Sequence, residues 1–350
     1  MSNTGGMRYL IAIAFALGGC ATPMLPSGDV DVPLPTGIAP ATDLRGAYRA
    51  ALCARPAMTS DACTRMLHRF AGETPADAPP TAIAARYRLL FVPGFLASCF
   101  TSIHTFADVV AAARNAGFAV DELSAGGRDA IAVNARRLAE QMARLPPDGR
   151  RLIVIAHSKG AADVMEMIVQ RPDLAARIHA VVGVAGAFGG SPLADSLAPF
   201  YRATFGAFPF AACAAGEGDP MADLEPARRR AWWAAHGQAI RVPMYSLVTV
   251  PAPDRLSAML LLPQALLAAH SRYNDGMLLA ADQLAPNGRL LGVVNADHVS
   301  AAIPYPPGLP WVLWFTTAPF PRADVVLAAI DVVAAQSATV ATTHVVRRPP

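Results

Sequence analysis

The sequence predicts an α/β domain built on a mostly parallel sheet with helices on both faces. Three observations carry that expectation. Short apolar runs alternate with segments of helical period from residue 86 onward. Prolines and glycines punctuate the joins between them. The chain is 350 residues long and 53% hydrophobic, enough to bury a sheet on both of its faces.

Six strands are expected, at Arg88–Val92, Ala119–Leu123, Arg151–Ala156, His179–Val184, Met244–Val250 and Leu290–Val294. All are of strand length, and Arg151–Ala156 is a compact apolar run. Helices are expected at Ile103–Asn115, stopped by Gly117, and at Asp129–Leu145, stopped by Pro146-Pro147. Two more are expected at Lys159–Gln170 and Arg322–Ala335. Together these elements make a main domain over residues 86–340, with a tail at 341–350.

Ahead of that domain, Asp43–Cys53 and Ser60–Phe70 have helical periodicity and are separated by the Arg55-Pro56 break. They read as a small helical hairpin, so residues 43–85 form an N-terminal extension that ends in a proline-rich connector. Residues 187–237 interrupt the strand–helix rhythm. They carry Phe188, Phe200, Tyr201, Phe205, Phe208, Phe210, Trp232 and Trp233. This segment reads as a lid-like insertion above the C-terminal edge of the sheet, with a pair of core helices as the alternative.

Charged residues make up 16% of the chain and the net charge is +3. No basic stripe is interleaved with aromatics, so nucleic acid is excluded as a partner. The densest basic run, Arg228-Arg229-Arg230, reads as the solvated face of a helix. Of the 29 basic residues, only Lys159 is lysine.

The N-terminus reads as an address. Arg8 precedes the apolar run Tyr9–Leu17, which is too short to span a bilayer and has the make-up of a signal-peptide core. The run ends in Leu17-Gly18-Gly19-Cys20, which resembles the lipobox of bacterial lipoproteins. That resemblance implies cleavage after residue 19 and lipidation of Cys20. With Ala21 next, it implies sorting to the outer membrane, the bilayer being a partner through several acyl chains. An ordinary cleaved signal is the alternative. Residues 20–42, rich in Pro, Gly, Ser and Thr, read as a flexible tether.

Export leaves Cys53, Cys63, Cys99 and Cys213. An even number of cysteines in an oxidising compartment implies two disulfides, with three possible pairings. Cys53–Cys63 as a local staple and Cys99–Cys213 is the pairing expected here. The cysteine and histidine spacings do not suit zinc.

Leu152-Ile153-Val154-Ile155-Ala156-His157-Ser158-Lys159-Gly160 is the most informative stretch. It reads as strand, sharp turn, helix, with a serine in the turn and small residues two positions to either side. Small residues are needed there because the two backbones nearly touch. The helix N-terminus offers unpaired N–H groups to developing negative charge. The stretch resembles the nucleophile elbow of α/β-hydrolases, with Ala156 where glycine is commonest. The α/β-hydrolase fold and a nucleophilic Ser158 are what this resemblance implies.

A serine nucleophile needs a histidine base oriented by a carboxylate, and in the resembled fold these follow in the order Ser, acid, His. His298, in Asn295-Ala296-Asp297-His298 after the last strand, is the expected base. Asp254 and Asp275 compete as the acid. Asp254 follows the strand ending at Val250. Asp275 lies in Asn274-Asp275-Gly276, 23 residues before His298, a turn that resembles that of bacterial true lipases and favours it. Lys159 N–H is one expected oxyanion donor. The other comes from Val92-Pro93-Gly94-Phe95-Leu96, which resembles the His-Gly-x loop of lipases with Pro93 in the histidine position. This makes Phe95 the natural donor and Leu96 the weaker one. Val133-Asn134-Ala135 also looks like part of the lipase helix that precedes the elbow strand.

These residues predict a lipase- or esterase-like serine hydrolase that forms an acyl-enzyme on ester or lipid substrates, with no metal or cofactor. Acyl transfer or thioester cleavage by the same residues is a second reading. A non-catalytic lipoprotein that uses the fold as a binding scaffold is a third.

Overall fold

The computed structural model describes residues 33–99, 104–196, 213, 216–304 and 319–345. The signal segment, Cys20, most of the tether, Phe200, Tyr201, Phe205, Phe208, Phe210 and residues 346–350 lie outside that set.

Among the described residues an eight-stranded sheet runs in the order β1-β8-β7-β6-β5-β3-β4, with β2 attached to β8. Its strands are β1 Thr42–Asp43, β2 Leu67–His68, β3 Tyr87–Val92, β4 Ala119–Glu122, β5 Arg151–His157, β6 Ile178–Val184, β7 Met244–Thr249 and β8 Arg289–Val294. Every pairing is parallel except β2 with β8. All six expected strands are present, each within one residue of its expected bounds at either end.

Side-chain alternation along the strands builds two cores. Leu89, Phe91, Ile153, Ile155, Val182, Val184 and Leu247 face one side. There they meet α1 (Arg45–Cys53), α3 (Ala107–Asn115) and α7 (Arg322–Val345). Leu90, Val92, Leu152, Val154, Ala156 and Val181 face the other, against α4 (Ile131–Ala143) and α5 (Lys159–Gln170). Truncating one of these buried leucines or isoleucines to alanine costs about 2–5 kcal/mol.

Several expectations are corrected. Residues 43–85 do not form a separate extension, since Tyr48 and Leu52 are fully buried in the main core and two short strands from this region join the sheet. The helix that starts at Ser60 (α2, Ser60–Met66) ends before Leu67, whose backbone turns extended. Leu67 and His68 then pair with Val294 and Val293, and His68 Nε2 bonds the Val250 carbonyl at 2.7 Å. The tether's last residues are not free either. Ile38 is buried and Leu34 half-buried in a third cluster with Phe70, Val248 and Leu290. The closing helix runs on to Val345, past the expected tail boundary.

Within the insertion, α6 (Pro226–His236) carries Trp232 and Trp233 onto the second core, where Phe188 is fully buried. These three aromatics are therefore core, not lid. Arg229 is buried rather than solvated: its guanidinium bonds the Phe188 carbonyl at 3.2 Å and covers the Trp232 ring at 4.6 Å. Arg228 and Arg230 are exposed as expected. Both expected disulfides, Cys53–Cys63 and Cys99–Cys213, are present. No helix among the described residues is long and apolar enough to cross a membrane.

Candidate active site

The chain leaves β3 for β4 on one side and returns as β5 on the other side of β3. The sheet order therefore reverses between β3 and β5, and the crevice beyond their C-terminal ends is where open α/β sheets bind ligands. The register sets Val92 beside Ala156, so the Pro93–Leu96 loop emerges against His157 and Ser158. The approach is very close. A Cβ on Gly94 would lie 2.8 Å from Ser158 Cβ, and one on Gly160 would collide with the Pro93 carbonyl. This is the physical reason for both glycines.

Ser158 sits at φ 53°, ψ −130°, between β5 and the first turn of α5. Positive φ is strained for a residue with a Cβ, and it lifts the side chain out of both elements. Ser158 Oγ is 2.9 Å from His298 Nε2, and His298 Nδ1 is 2.8 Å from Asp275 Oδ2. The carboxylate can only accept from Nδ1–H, so Nε2 presents its lone pair to the Ser158 hydroxyl.

Asp275 is fully buried. Its Oδ1 accepts the N–H groups of Met277 and Leu278 at 2.9 and 2.7 Å. Its Oδ2 accepts the Thr249 hydroxyl at 2.8 Å, and its carbonyl accepts the His298 N–H at 3.0 Å. Asp275 and His298 are thus fixed to each other through backbone as well as side chain.

Of the two carboxylates left open by the sequence, Asp275 is the one that meets His298. Asp254 is exposed on the single turn Pro253–Arg255 after β7. Asp297, beside the histidine, points away: it accepts Ser257 N–H at 2.7 Å and Ser300 N–H at 2.6 Å, and so shapes the loop. Lys159 begins α5, where backbone N–H groups lack helical acceptors. Leu96 N–H is spent on the Gly127 carbonyl at 2.8 Å, which removes it as an oxyanion donor. Phe95 stands beside Gly94 and is half-buried.

Sequence reasoning missed two parts of this site. Thr249, the last residue of β7, holds the carboxylate oxygen that meets His298; a threonine ending a strand carries no pattern that marks it. His157 donates Nε2–H to the His298 carbonyl at 2.9 Å, and its place beside Ser158 was the available signal. Burial and the neighbouring His298 push the His157 pKa down to about 3, so this ring is neutral and its single N–H is the one given to the His298 carbonyl.

The geometry has a counterpart among solved structures. The metagenomic carboxyl esterase MGS0156 superposes with a TM-score of 0.79 at 34% identity, over 93% of this chain and 98% of that one. This chain belongs to the carboxyl esterases of the α/β-hydrolase fold. The mature form of the lipase BlEst2 from Bacillus licheniformis superposes on this esterase with a TM-score of 0.51. Its identity is 18%, over 63% of this chain and 89% of that one, and it shares the fold. No family model and no curated protein matches the esterase's sequence. As an ester hydrolase, the chain has in the switch-point crevice a buried hydroxyl, imidazole and carboxylate in hydrogen-bonded series. Such a series can move a proton from an attacking hydroxyl to a leaving alcohol.

Proposed function

We propose that this esterase hydrolyses carboxylic esters through a Ser158–His298–Asp275 triad and an acyl-enzyme. His298 Nε2 takes the Ser158 proton as Oγ attacks the ester carbonyl carbon. Asp275 holds the ring and stabilises the imidazolium that forms. The N–H groups of Lys159 and Phe95 receive the oxyanion. His298 then protonates the leaving alkoxide as the ester C–O bond breaks, and the acyl group stays on Ser158 Oγ. Water, deprotonated by the same imidazole, attacks the acyl carbon; the acyl–Oγ bond breaks, His298 returns the proton to Ser158 Oγ, and the carboxylic acid leaves.

The observation that carries this reading is the pair of hydrogen bonds at 2.9 and 2.8 Å that joins the three side chains. Labelling by a fluorophosphonate probe tests it. Wild type should be labelled once and Ser158→Ala should not. Equal labelling of the two would remove Ser158 as nucleophile.

The substrate class we propose is a lipid-like acyl ester met at the outer membrane, to which Cys20 anchors the chain. The lipobox-like Leu17–Cys20 supports the anchor, and the two disulfides fit an exported protein. A nitrophenyl ester series with activity confined to acetate would count against lipid-like substrates. Retention of the membrane fraction by Cys20→Ser would count against the anchor.

A further inference from the structure

Two features of the sequence stand outside the triad: the chain's single lysine, and the Val133-Asn134-Ala135 stretch of α4. The fold brings them onto one carboxylate. Lys159 Nζ lies 2.6 Å from Asp163 Oδ1, one helical turn along α5, with side-chain exposures of 1% and 2%. The other oxygen, Oδ2, accepts Asn134 Nδ2 at 3.0 Å.

The connection continues past Asn134. Its Nδ2 also donates to the Gly126 carbonyl at 3.1 Å, and its Oδ1 accepts the Gly126 N–H at 2.8 Å. The next residue, Gly127, donates its N–H to Ser98 Oγ at 2.8 Å and accepts Leu96 N–H at 2.8 Å. A path of hydrogen bonds, continued through the Gly126–Gly127 peptide link, therefore runs from the side chain of Lys159 to Leu96, the residue after Phe95. The backbone N–H groups of Lys159 and Phe95 are the proposed oxyanion donors, so the path joins the two halves of the cradle from behind.

Folding stability is a poor reason for such a path. Removing an ion from water costs several kcal/mol even inside a relaxed protein, and a well-packed apolar pair is often as stable or more so. Burial pushes the Asp163 pKa up even against the pull of Lys159 and the Asn134 hydrogen bond. The choice of lysine is also specific in a chain that uses arginine at every other basic position. With Oδ2 committed to Asn134, only one oxygen of Asp163 faces residue 159. An ammonium brings three N–H donors to that oxygen and a planar guanidinium five, so lysine is the cation that leaves fewer buried N–H groups to satisfy.

We infer that the Lys159–Asp163–Asn134 network is a positioning device that sets the spacing of the Lys159 and Phe95 N–H groups across the oxyanion cradle. Its role rests on the reading of Ser158 as nucleophile. None of the three side chains acts on the substrate; they act through the backbone of residues 95–96 and 158–159. The part of the reaction they govern is stabilisation of the tetrahedral oxyanion, which develops only in the transition state. Their loss therefore lowers kcat and leaves KM nearly unchanged.

The test replaces the ion pair by an apolar pair, Lys159→Met with Asp163→Leu, in the full chain. The expected result is a melting temperature equal to or above wild type, a KM for nitrophenyl butyrate within about threefold, and a kcat lower by roughly 10–100-fold, short of the loss of an entire oxyanion donor. Asn134→Ala, which cuts the path and leaves the ion pair whole, should lower kcat by about tenfold at the same KM. Lys159→Arg should not rescue the rate. Wild-type kcat in a folded variant of either kind overturns the inference. If the double variant does not fold, Asn134→Ala decides alone. Ser158→Ala is assayed beside them: if it keeps full turnover, the nucleophile assignment has failed, and that outcome is distinct from a failure of the positioning role.

Discussion

The rings of His157 and His298 lie 4.8 Å apart, and His157 Nε2–H holds the carbonyl oxygen of His298 at 2.9 Å. One imidazole thus carries the loop of the other. The supporting ring is driven far from ordinary basicity, down to about 3 by burial and by its neighbour.

The sign of the pH effect follows. An unfolded histidine titrates near 6.5, so below that pH the unfolded chain binds a proton that folded His157 refuses. The stability from neutral His157 is complete above about 6.5 and is lost progressively as the pH falls towards 3. Between pH 7 and 4.5 the loss is on the order of 2 kcal/mol from this residue. Urea titrations at the two pH values should show a smaller drop for His157→Asn than for wild type. Equal drops would mean that His157 is not held neutral. The same variant frees the His298 carbonyl, so kcat should fall with little change in KM.

Asp275 and Asp254 separate cleanly by mutation. Asp275→Asn keeps the shape but replaces the acceptor of His298 Nδ1–H, and it should lower kcat by roughly 10³–10⁴. Thr249→Val removes a hydroxyl 2.8 Å from the same oxygen and should lower kcat by about tenfold, since hydrogen bonds to charged groups are worth about 1.5–3 kcal/mol. Asp254→Asn should leave both constants at wild-type values. Steady-state kinetics on a soluble nitrophenyl ester decides, and a large loss in Asp254→Asn would reverse the assignment.

The contact between Gly94 and the nucleophile turn gives a steric prediction. A methyl group at residue 94 must push against Ser158 Cβ at 2.8 Å, and one at residue 160 against the Pro93 carbonyl. Overpacking of this kind costs about 1–3 kcal/mol. The larger effect is on rate, because each substitution drives the loop of Phe95 away from Ser158. Gly94→Ala and Gly160→Ala should slow fluorophosphonate labelling by about 100-fold, the scale of one lost oxyanion donor, while melting only a few degrees lower. Unchanged labelling would show that the loop takes no part in the cradle.

How much of this could be read in advance depended on the range of the interaction. The strands and the elbow were legible because period and local sterics set them: Ile153 and Ile155 alternate with Val154, and a small residue stands two positions to either side of Ser158. The chain order of serine, acid and histidine reached His298, and the Asn-Asp-Gly turn favoured Asp275. What stayed hidden was long-range. Leu67 and His68 follow a helix and have no strand pattern of their own; β8 makes them a strand by offering an open edge. Arg229 looked solvated because its neighbours Arg228 and Arg230 are, and only packing under Phe188 and Trp232 decides otherwise. Nothing in the one-dimensional order of Asn134, Lys159 and Asp163 says that they converge.

The two disulfides should differ in what their loss does. Cys53–Cys63 closes a separation of 10 residues between α1 and α2. Cys99–Cys213 spans 114, joining the end of the Ala97–Cys99 turn to a residue whose carbonyl accepts Arg128 Nη2 at 3.0 Å. In the chain-entropy view, stabilisation grows with the logarithm of loop length, from about 3 kcal/mol for short loops to nearly 5 for a loop of this size. Cys99→Ser with Cys213→Ser should therefore cost more stability than Cys53→Ser with Cys63→Ser. The rate adds a second distinction. Cys99 N–H bonds the Leu96 carbonyl at 2.9 Å, so the long-range disulfide tethers the loop of Phe95, whereas the short one lies in the opposite core. Loss of the long-range bond should lower kcat several-fold at a temperature where both variants are folded, and loss of the short one should not. Calorimetry and kinetics on the two serine pairs measure this, and equal kcat values would confine both bonds to stability.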